Sequence, residues 1–592
     1  MSVLLLSLLT LAQPQHWDFT SFPADRFADD ATGGGLLFDG KTDPVYIEDK
    51  SSLPEDAMTV SAWVSIDEPN RWGGIIGCIQ DNGDLELGWI LGYNESQFTM
   101  ALSTSGADDG NGKLTYLTSG DATYELGQWY HVSATYDGKT LQLYVDGKRV
   151  NQTASQSGSI LYNKEMPFTI GGYEDDNELN KFDGRLKSVT LDARPSSAEA
   201  IFAQFEEGST LKSFEPWVDT ELDWLVLPYI NWPTTTEMSI SFETTLPTDA
   251  ELQACHETGR CTQTLQSSSE RLHHFRLTGL EPNEKYFYIV KATDFRGNTI
   301  ESPRLSFRTA PETEDSFTFI AIGDTQAQAE VVKRVSDVAY SHRPNLVVHA
   351  GDLVTTGSNK SHWTGHFFPA MQPLISRVPF MPVLGNHEQD AQHYYDYMVL
   401  PEPERYYSFT FGNAEFFMID GNRSLAEQSE QLNWLEQSLA KSKAKWKFAV
   451  LHQPPYTSDS NDYGDTYHTT STRGDMNARN IVSVLEKYGV DICFSGHVHD
   501  YERTFPIAGD KVIPWEDGGV MYVTTAGGGG HLEHFDPTNT WFGHKKANCH
   551  HLVYIAIHGD ILEFQAIDEF GKLFDLLTLH KGDRVGLNKM EL

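Results

Sequence analysis

Cysteine is scarce: Cys78, Cys255, Cys261, Cys493 and Cys549 are all that 592 residues contain. A fold stapled throughout by disulfides is therefore excluded, and thiol chemistry is not what the chain is built around. Cys255 and Cys261, in CHETGRC, lie close enough for a local bridge, with two separate thiols as the alternative, and Cys493 sits in an apolar run as a small buried hydrophobe. Positive charge is also short. Lys plus Arg total 44 against 83 Asp plus Glu, a formal charge of −39. Such a surface repels the phosphates of DNA, RNA and anionic lipid, which excludes a nucleic-acid scaffold, and it keeps an exported protein soluble. Long apolar runs are missing too. The stretch from Val3 to Leu11 in MSVLLLSLLTLAQPQ is too short to span a bilayer. With the small Ala12 behind it, residues 1–12 read as a signal peptide, although no Lys or Arg precedes it and a buried strand or a mis-set start is the alternative; the mature chain is expected to be soluble, without a membrane span, and secreted, periplasmic or extracellular.

What is present is core-forming material for several domains, three or four by length, with 39% hydrophobic and 12% aromatic residues. Between Gly33 and Glu207 the pattern is one of short strands divided by turns, as in AMTVSAWVSI, GWILGY and FTMALS. In WYHVSATYDGKTLQLYVDGKRV, Asp137-Gly138 and Asp146-Gly147 are hairpin signals between alternating apolar residues. Strands resume in MSISFETT, LHHFRLTGL and KYFYIVKATD, and end at SFRTAPE. From Ser316 onward apolar strands alternate with stretches such as AEVVKRVSDVAYS and NARNIVSVLEKYG, whose apolar residues recur every three or four positions, which means a layered α/β domain.

Five apolar runs in this last part each stop at a polar cluster: FTFIAIGDTQ, NLVVHAGDL, PFMPVLGNHE, KFAVLHQPP and VDICFSGHVHDYER. Strand ends in α/β folds gather at one edge, so five clusters at five strand ends make one site. Asp324, Asp352, Asn386, His452, His497 and His499 offer carboxylate, amide and imidazole groups, a set suited to Zn, Mn or Fe rather than Ca. Gly323, Gly351, Gly385 and Gly496 each precede a ligand or a ligand pair, as tight turns beside an ion require. His497 and His499, two apart at a strand end, would face different metals if the chain bends there. A pair of cations would also resolve how so acidic a protein draws in an anion.

In their order and context these blocks resemble the calcineurin-like metallophosphoesterase superfamily, and GNHE, HQPPY and GHVHDYER are similar to purple acid phosphatases in particular. The likeness runs from about Ser316 to Leu579, through VMYVTTAGGGG and VYIAIHGDILEFQAID. It implies an αββα-type layered catalytic domain over 316–580 that hydrolyses phosphate monoesters, with a small phosphorylated substrate and two divalent or trivalent ions of Fe, Zn or Mn. By that resemblance Asp352 bridges the two metals, Asp324 and His499 complete one site, and Asn386, His452 and His497 complete the other. His387 falls where a residue contacts phosphate and helps the leaving group depart, and a hydroxide between the metals would attack phosphorus in line. Two positions depart from the purple pattern. Thr355 stands where those enzymes have a metal-bound tyrosine, so the tyrosinate-to-iron colour band would be absent. Gln326 stands where other superfamily members place a histidine ligand; its amide either fills that place or supports a neighbouring ligand. His468, in TYHTTSTR, is a candidate for binding the phosphate from a long loop. Arg503 either meets an anion or forms a salt bridge with an acidic neighbour.

The segment 33–207 resembles a laminin-G-like or concanavalin-like jelly roll, carried by WYHVSATYDGKTLQLYVDGK and FDGRLKSVTLDARPSSAEAI. That likeness implies a module that binds carbohydrate or an extracellular matrix protein, sometimes with calcium, with a structural or spacer role as the alternative; Glu174-Asp175-Asp176 is either a solvated acidic loop or a set of oxygen ligands for calcium. The segment 215–311 resembles a fibronectin type III sandwich, carried by LTGLEPNEKYFYIVKA. The fold class expected is thus multidomain: two N-terminal all-β sandwiches, then the α/β metallophosphoesterase domain. The rival functions are a phosphodiesterase, nucleotidase or phytase with the same site, and an extracellular binding protein whose phosphoesterase domain is degenerate.

Overall fold

The structure, a computed structural model, describes residues 14–17, 19, 26–28, 33–82, 85–214, 221–388, 390–459, 474–535 and 540–584. The apolar stretch within 1–12 and His468 lie outside the described residues. The chain divides into two compact units, Met1–Thr220 with Ser358–Lys360, and Glu221–Gly357 with Ser361–Leu592. No helix among the described residues is long and apolar enough to cross a membrane.

The first unit is built on two antiparallel sheets, of seven and six strands. The turn at Asp137-Gly138 joins Trp129–Tyr136 to Leu141–Val145, and Asp146-Gly147, both at positive φ, turns that strand into Lys148–Thr153. Asp and Gly are the residues that accept that conformation, so the two hairpins follow from local chemistry. Val60, Val64, Leu91, Met100, Val132 and Ala134 belong to one buried core. The acidic run Glu174-Asp175-Asp176 is largely taken up by its own surroundings. Asp175 Oδ1 accepts from the Asn177 and Glu178 amides and its Oδ2 from the Asp81 amide, while Asp176 accepts from Gln80 and Asn82.

The second unit begins with an antiparallel sheet in which Met238–His256 and Cys261–Leu277 form a long hairpin. Cys255 and Cys261, opposite one another near its tip, form a disulfide; Cys78, Cys493 and Cys549 remain free thiols. This sheet is not a separate unit. Tyr229 Oη donates to Tyr397 O at 2.6 Å, Asn231 Nδ2 to Phe380 O at 2.7 Å and Tyr397 Oη to Glu243 Oε2 at 2.6 Å, all buried, so buried polar groups of each part find partners on the other.

Two further sheets carry the α/β pattern. One has the order Phe380–Pro382, Leu346–His349, Phe317–Ile322, His551–His558, Ile561–Asp568, Leu573–His580, its first three strands parallel. In the other, Ala414–Met418, Trp446–Val450, Ile492–Ser495 and Met521–Thr525 run parallel. The sheets face each other through Phe319, whose ring meets Phe416, Phe448 and Phe494 edge-on at centroid distances of 5.1, 5.1 and 6.2 Å. Because side chains alternate along a strand, the adjoining Phe417, Ala449 and Cys493 point the other way, into a second core with Leu435 and Leu439 of the helix Glu430–Lys441. On the first sheet's side, Val331, Val332, Val335 and Ala339 bury one face of the helix Ala329–Ser341. The result is a helix–sheet–sheet–helix sandwich with parallel strands in both sheets ending on the loops that bear the ligand-type residues.

Candidate metal centre at the strand ends

Asp324 follows Phe317–Ile322, Asp352 follows Leu346–His349 and Asn386 follows Phe380–Pro382, while His452 follows Trp446–Val450 and His497 follows Ile492–Ser495. The backbone at these ends is strained. Asp324, Asp352 and His497 all hold positive φ, +59°, +55° and +73°, in the left-handed region that non-glycine residues enter at a cost of about 1–3 kcal/mol each. At His497 this conformation is the bend that sends it and His499 to different places. Close approach explains the glycines: a Cβ on Gly385 would stand 2.1 Å from Asp352 Oδ1, and one on Gly496 2.5 Å from Asp324 Oδ2.

Two groups of ligand-type atoms result, each within 4.8 Å of one another: Asp352, His452 and His497, and Asp324, Asp352 and His499. Asp352 belongs to both. Asn386 joins the first group, its Oδ1 lying 3.0 Å from His452 Nε2 and 2.9 Å from His497 Nδ1. His452 Nε2 is also 3.2 Å from Asp352 Oδ2 and from His497 Nδ1. Its other nitrogen faces Ala350 O at 2.8 Å and donates there, so once neutral the ring turns a lone pair toward the cluster. His499 is oriented likewise, with Nδ1 on His531 O at 2.8 Å and Nε2 3.4 Å from Asp324 Oδ1. Two buried carboxylates, an amide oxygen and three imidazoles converging in this way are a donor set that fits cations.

Protonation shows the same demand. Burial alone would raise the Asp352 carboxyl, but His452 outweighs it and holds it down at about 2. Burial would depress His452, but Asp352 raises it to about 10. His499, also opposed by burial, is raised to about 9 by Asp324 and Glu533. Asp324 itself is pushed up by burial, and His497 falls to about 3 through burial and its neighbour His452. A divalent ion would take the place of the protons that His452 and His499 otherwise hold.

Gln326 comes into the second group with its nitrogen, not its oxygen, toward His499: Nε2 is 3.0 Å from His499 Nε2, and Oε1 is buried without a hydrogen-bond partner. The Thr355 hydroxyl oxygen accepts from the Ala327 amide, and its carbonyl accepts from His387 Nδ1 at 2.6 Å. That bond fixes the His387 ring, whose Nε2 is 4.0 Å from Asp352 Oδ2 and whose side chain is 38% exposed. Arg503 is a buried structural residue, forked onto Asp575 at 2.7 and 3.0 Å.

Glu388, which the sequence shows only as the last letter of GNHE, is fully buried and accepts from the amides of Asp352, Leu353, Val354 and Gly385 at 2.9, 2.8, 3.3 and 2.6 Å. One carboxylate thereby ties the Asp352 loop to the Asn386 loop. The signal was an acidic side chain at the end of an apolar strand; its partners are backbone groups and left none.

Residues 317–501 match the calcineurin-like phosphoesterase family, over the stretch that holds every ligand-type side chain described above. This is a calcineurin-like phosphoesterase domain. Residues 39–202 match the concanavalin A-like lectin/glucanase superfamily, so the first unit contains a concanavalin-like sandwich. Curated relatives of the phosphoesterase domain include purple acid phosphatase 21 of Arabidopsis thaliana, 28% identical over 280 residues, 44% of this chain and 59% of the relative. Purple acid phosphatase 23 of the same plant is 27% identical over 328 residues, 48% and 68% of the two chains. A third Arabidopsis relative, 25% identical over 315 residues and covered to 50%, bears the name probable inactive purple acid phosphatase 27. The chain thus spans about half to two-thirds of the length of these relatives. A purple acid phosphatase from yellow lupin seeds shares the fold, with a TM-score of 0.54 at 17% identity over 89% of this chain and 91% of that one.

Proposed function

We propose that the protein is a secreted metal-dependent phosphoesterase acting on phosphate monoesters at a dinuclear site. The observation that carries this is Asp352, one buried carboxylate common to two groups of ligand-type atoms. In this reading Asp352 would be shared by two ions, Asp324 and His499 would hold one, and Asn386, His452 and His497 would hold the other. Gln326, with its amide turned over, would offer its oxygen to the first ion. When bound, two such cations polarise phosphoryl oxygens and make water nucleophilic near neutral pH. His452 and His499, their outer nitrogens donating to Ala350 O and His531 O, keep their inner nitrogens aimed at the ions. His387, its Nδ1 proton held by Thr355 O, has Nε2 at the open side of the site, where in protonated form it delivers a proton to the departing alkoxide. The disulfide Cys255–Cys261 supports an oxidising compartment. Domain limits of 33–207, 215–311 and 316–580 accompany this reading, the last two forming one compact unit.

The test is removal and rescue. Exhaustive chelation should abolish hydrolysis of p-nitrophenyl phosphate, and Zn, Mn or Fe should restore it with two ions per chain by elemental analysis. Activity that survives full depletion sinks the reading. A panel of mono- and diesters separates monoesterase from diesterase, and absence of both activities with fewer than one tightly held ion favours a binding protein with a degenerate domain. His387→Ala should lower kcat on an alkyl phosphate by about 10²–10⁴-fold, with less effect on p-nitrophenyl phosphate, whose leaving group needs no proton, and with metal content unchanged. An equal loss on both esters would remove His387 from the role of acid.

A further inference from the structure

The strand Ala414–Met418 lies in the same parallel run as the strands that deliver His452 and His497, so the loop after it, Asp420 to Arg423, opens on the same edge. Hydrogen bonds fix that placement. Asn422 Nδ2 donates to Gly385 O at 3.1 Å, and Asn422 Oδ1 accepts from Gln453 Nε2 at 2.8 Å, which binds the loop to the residues beside Asn386 and His452.

Next in sequence comes Arg423. Its side chain is 52% exposed and donates through Nη2 to Asp390 Oδ2. Asp390 also accepts from Arg405 Nη2 at 3.1 and 3.2 Å and from Tyr395 Oη at 2.5 Å. Two guanidiniums therefore share one half-buried carboxylate, with the buried Asp420 as a further charge near both. In a chain of formal charge −39, a half-exposed cation at this rim needs a reason. Asp390 is three residues past His387, so their backbones are at most about 11 Å apart. Only one nitrogen of the Arg423 fork is engaged with Asp390, and a guanidinium offers five N–H donors in a plane that matches phosphate oxygens.

We infer that Arg423, held in place by Asp390 beside Arg405, is a second anion subsite at the mouth of the centre. The substrates that suit it are small phosphate esters carrying a second phosphoryl group on a short linker. This rests on the phosphoesterase reading above.

Calorimetric titration of the protein as purified, with propane-1,3-diphosphonate and with propylphosphonate, tests it. The diphosphonate should bind at least about tenfold more tightly, the worth of one charge-assisted contact. Arg423→Ala should bring the ratio of the two affinities near one, and Arg423→Lys, a point charge without the fork, should retain part of it. Arg423→Gln reads the same ratio should the alanine variant fail to fold. A ratio that these variants leave unchanged, or two affinities that fall in proportion, overturns the inference. Hydrolysis of p-nitrophenyl phosphate is scored separately: if it is absent while the ratio behaves as expected, the hydrolase reading fails and the subsite stands.

Discussion

Asp352→Asn should drop the bound ions below one per chain and cut turnover of p-nitrophenyl phosphate by at least about a thousandfold, well beyond the 10–100-fold typical of outer partners of a ligand. The substitution preserves shape and removes charge. Among the described residues Asp352 is the one side chain common to both groups. Without it the ions repel each other across an amide, and His452 loses the carboxylate 3.2 Å away that sets its basicity. Elemental analysis and steady-state kinetics on the same preparation decide the matter. A variant that keeps two ions and a tenth of the activity would show that Asp352 is not shared.

Glu388 carries the second large effect, on stability. All four of its contacts are N–H donors, and none of these backbone groups can reach water. Burial and the nearby Asp352 charge push its carboxyl up to about 8, yet this cage of donors has no place for a carboxylic O–H, so the ionised form is the one it fits. Glu388→Ala strands four donors in the interior, and each unsatisfied group costs about 1–3 kcal/mol before any relaxation. Chemical denaturation should therefore show a loss of about 3–5 kcal/mol, with metal affinity falling about 10–100-fold because the Asp352 and Asn386 loops are no longer tied. A loss under about 1 kcal/mol would mean that water replaces the carboxylate and that the two loops hold their own shape.

How much of this was legible in the chain depends on whether the partner is near in sequence or belongs to a repeating pattern. Asp137-Gly138 and Asp146-Gly147 show their hairpins because the turn demands those residues wherever it occurs. AEVVKRVSDVAYS shows the helix Ala329–Ser341 because burial follows its period. NARNIVSVLEKYG has the same period, yet its ordered part is a 3-10 turn, Ala478–Ile481, followed by the short helix Val482–Lys487. The ligand-type residues stand at strand ends in a recognisable order, but what orients them does not show. Ala350 O, His531 O and Thr355 O are backbone atoms, identical in every residue, and the Arg503 partner, Asp575, lies 72 positions away. The joining of the antiparallel sheet that opens the second unit to the phosphoesterase domain was equally hidden, since two of its bonds run from tyrosine and asparagine side chains to main-chain carbonyls.

Asp324, Asp352 and Asn386 come from one sheet and His452, His497 and His499 from the other, with the Phe319 rings packed between them. Any ion held here would therefore be a rivet through both leaves of the sandwich. Ion binding and cohesion of the sandwich become a single equilibrium, so scarcity of the cations would loosen the architecture as well as silence the chemistry.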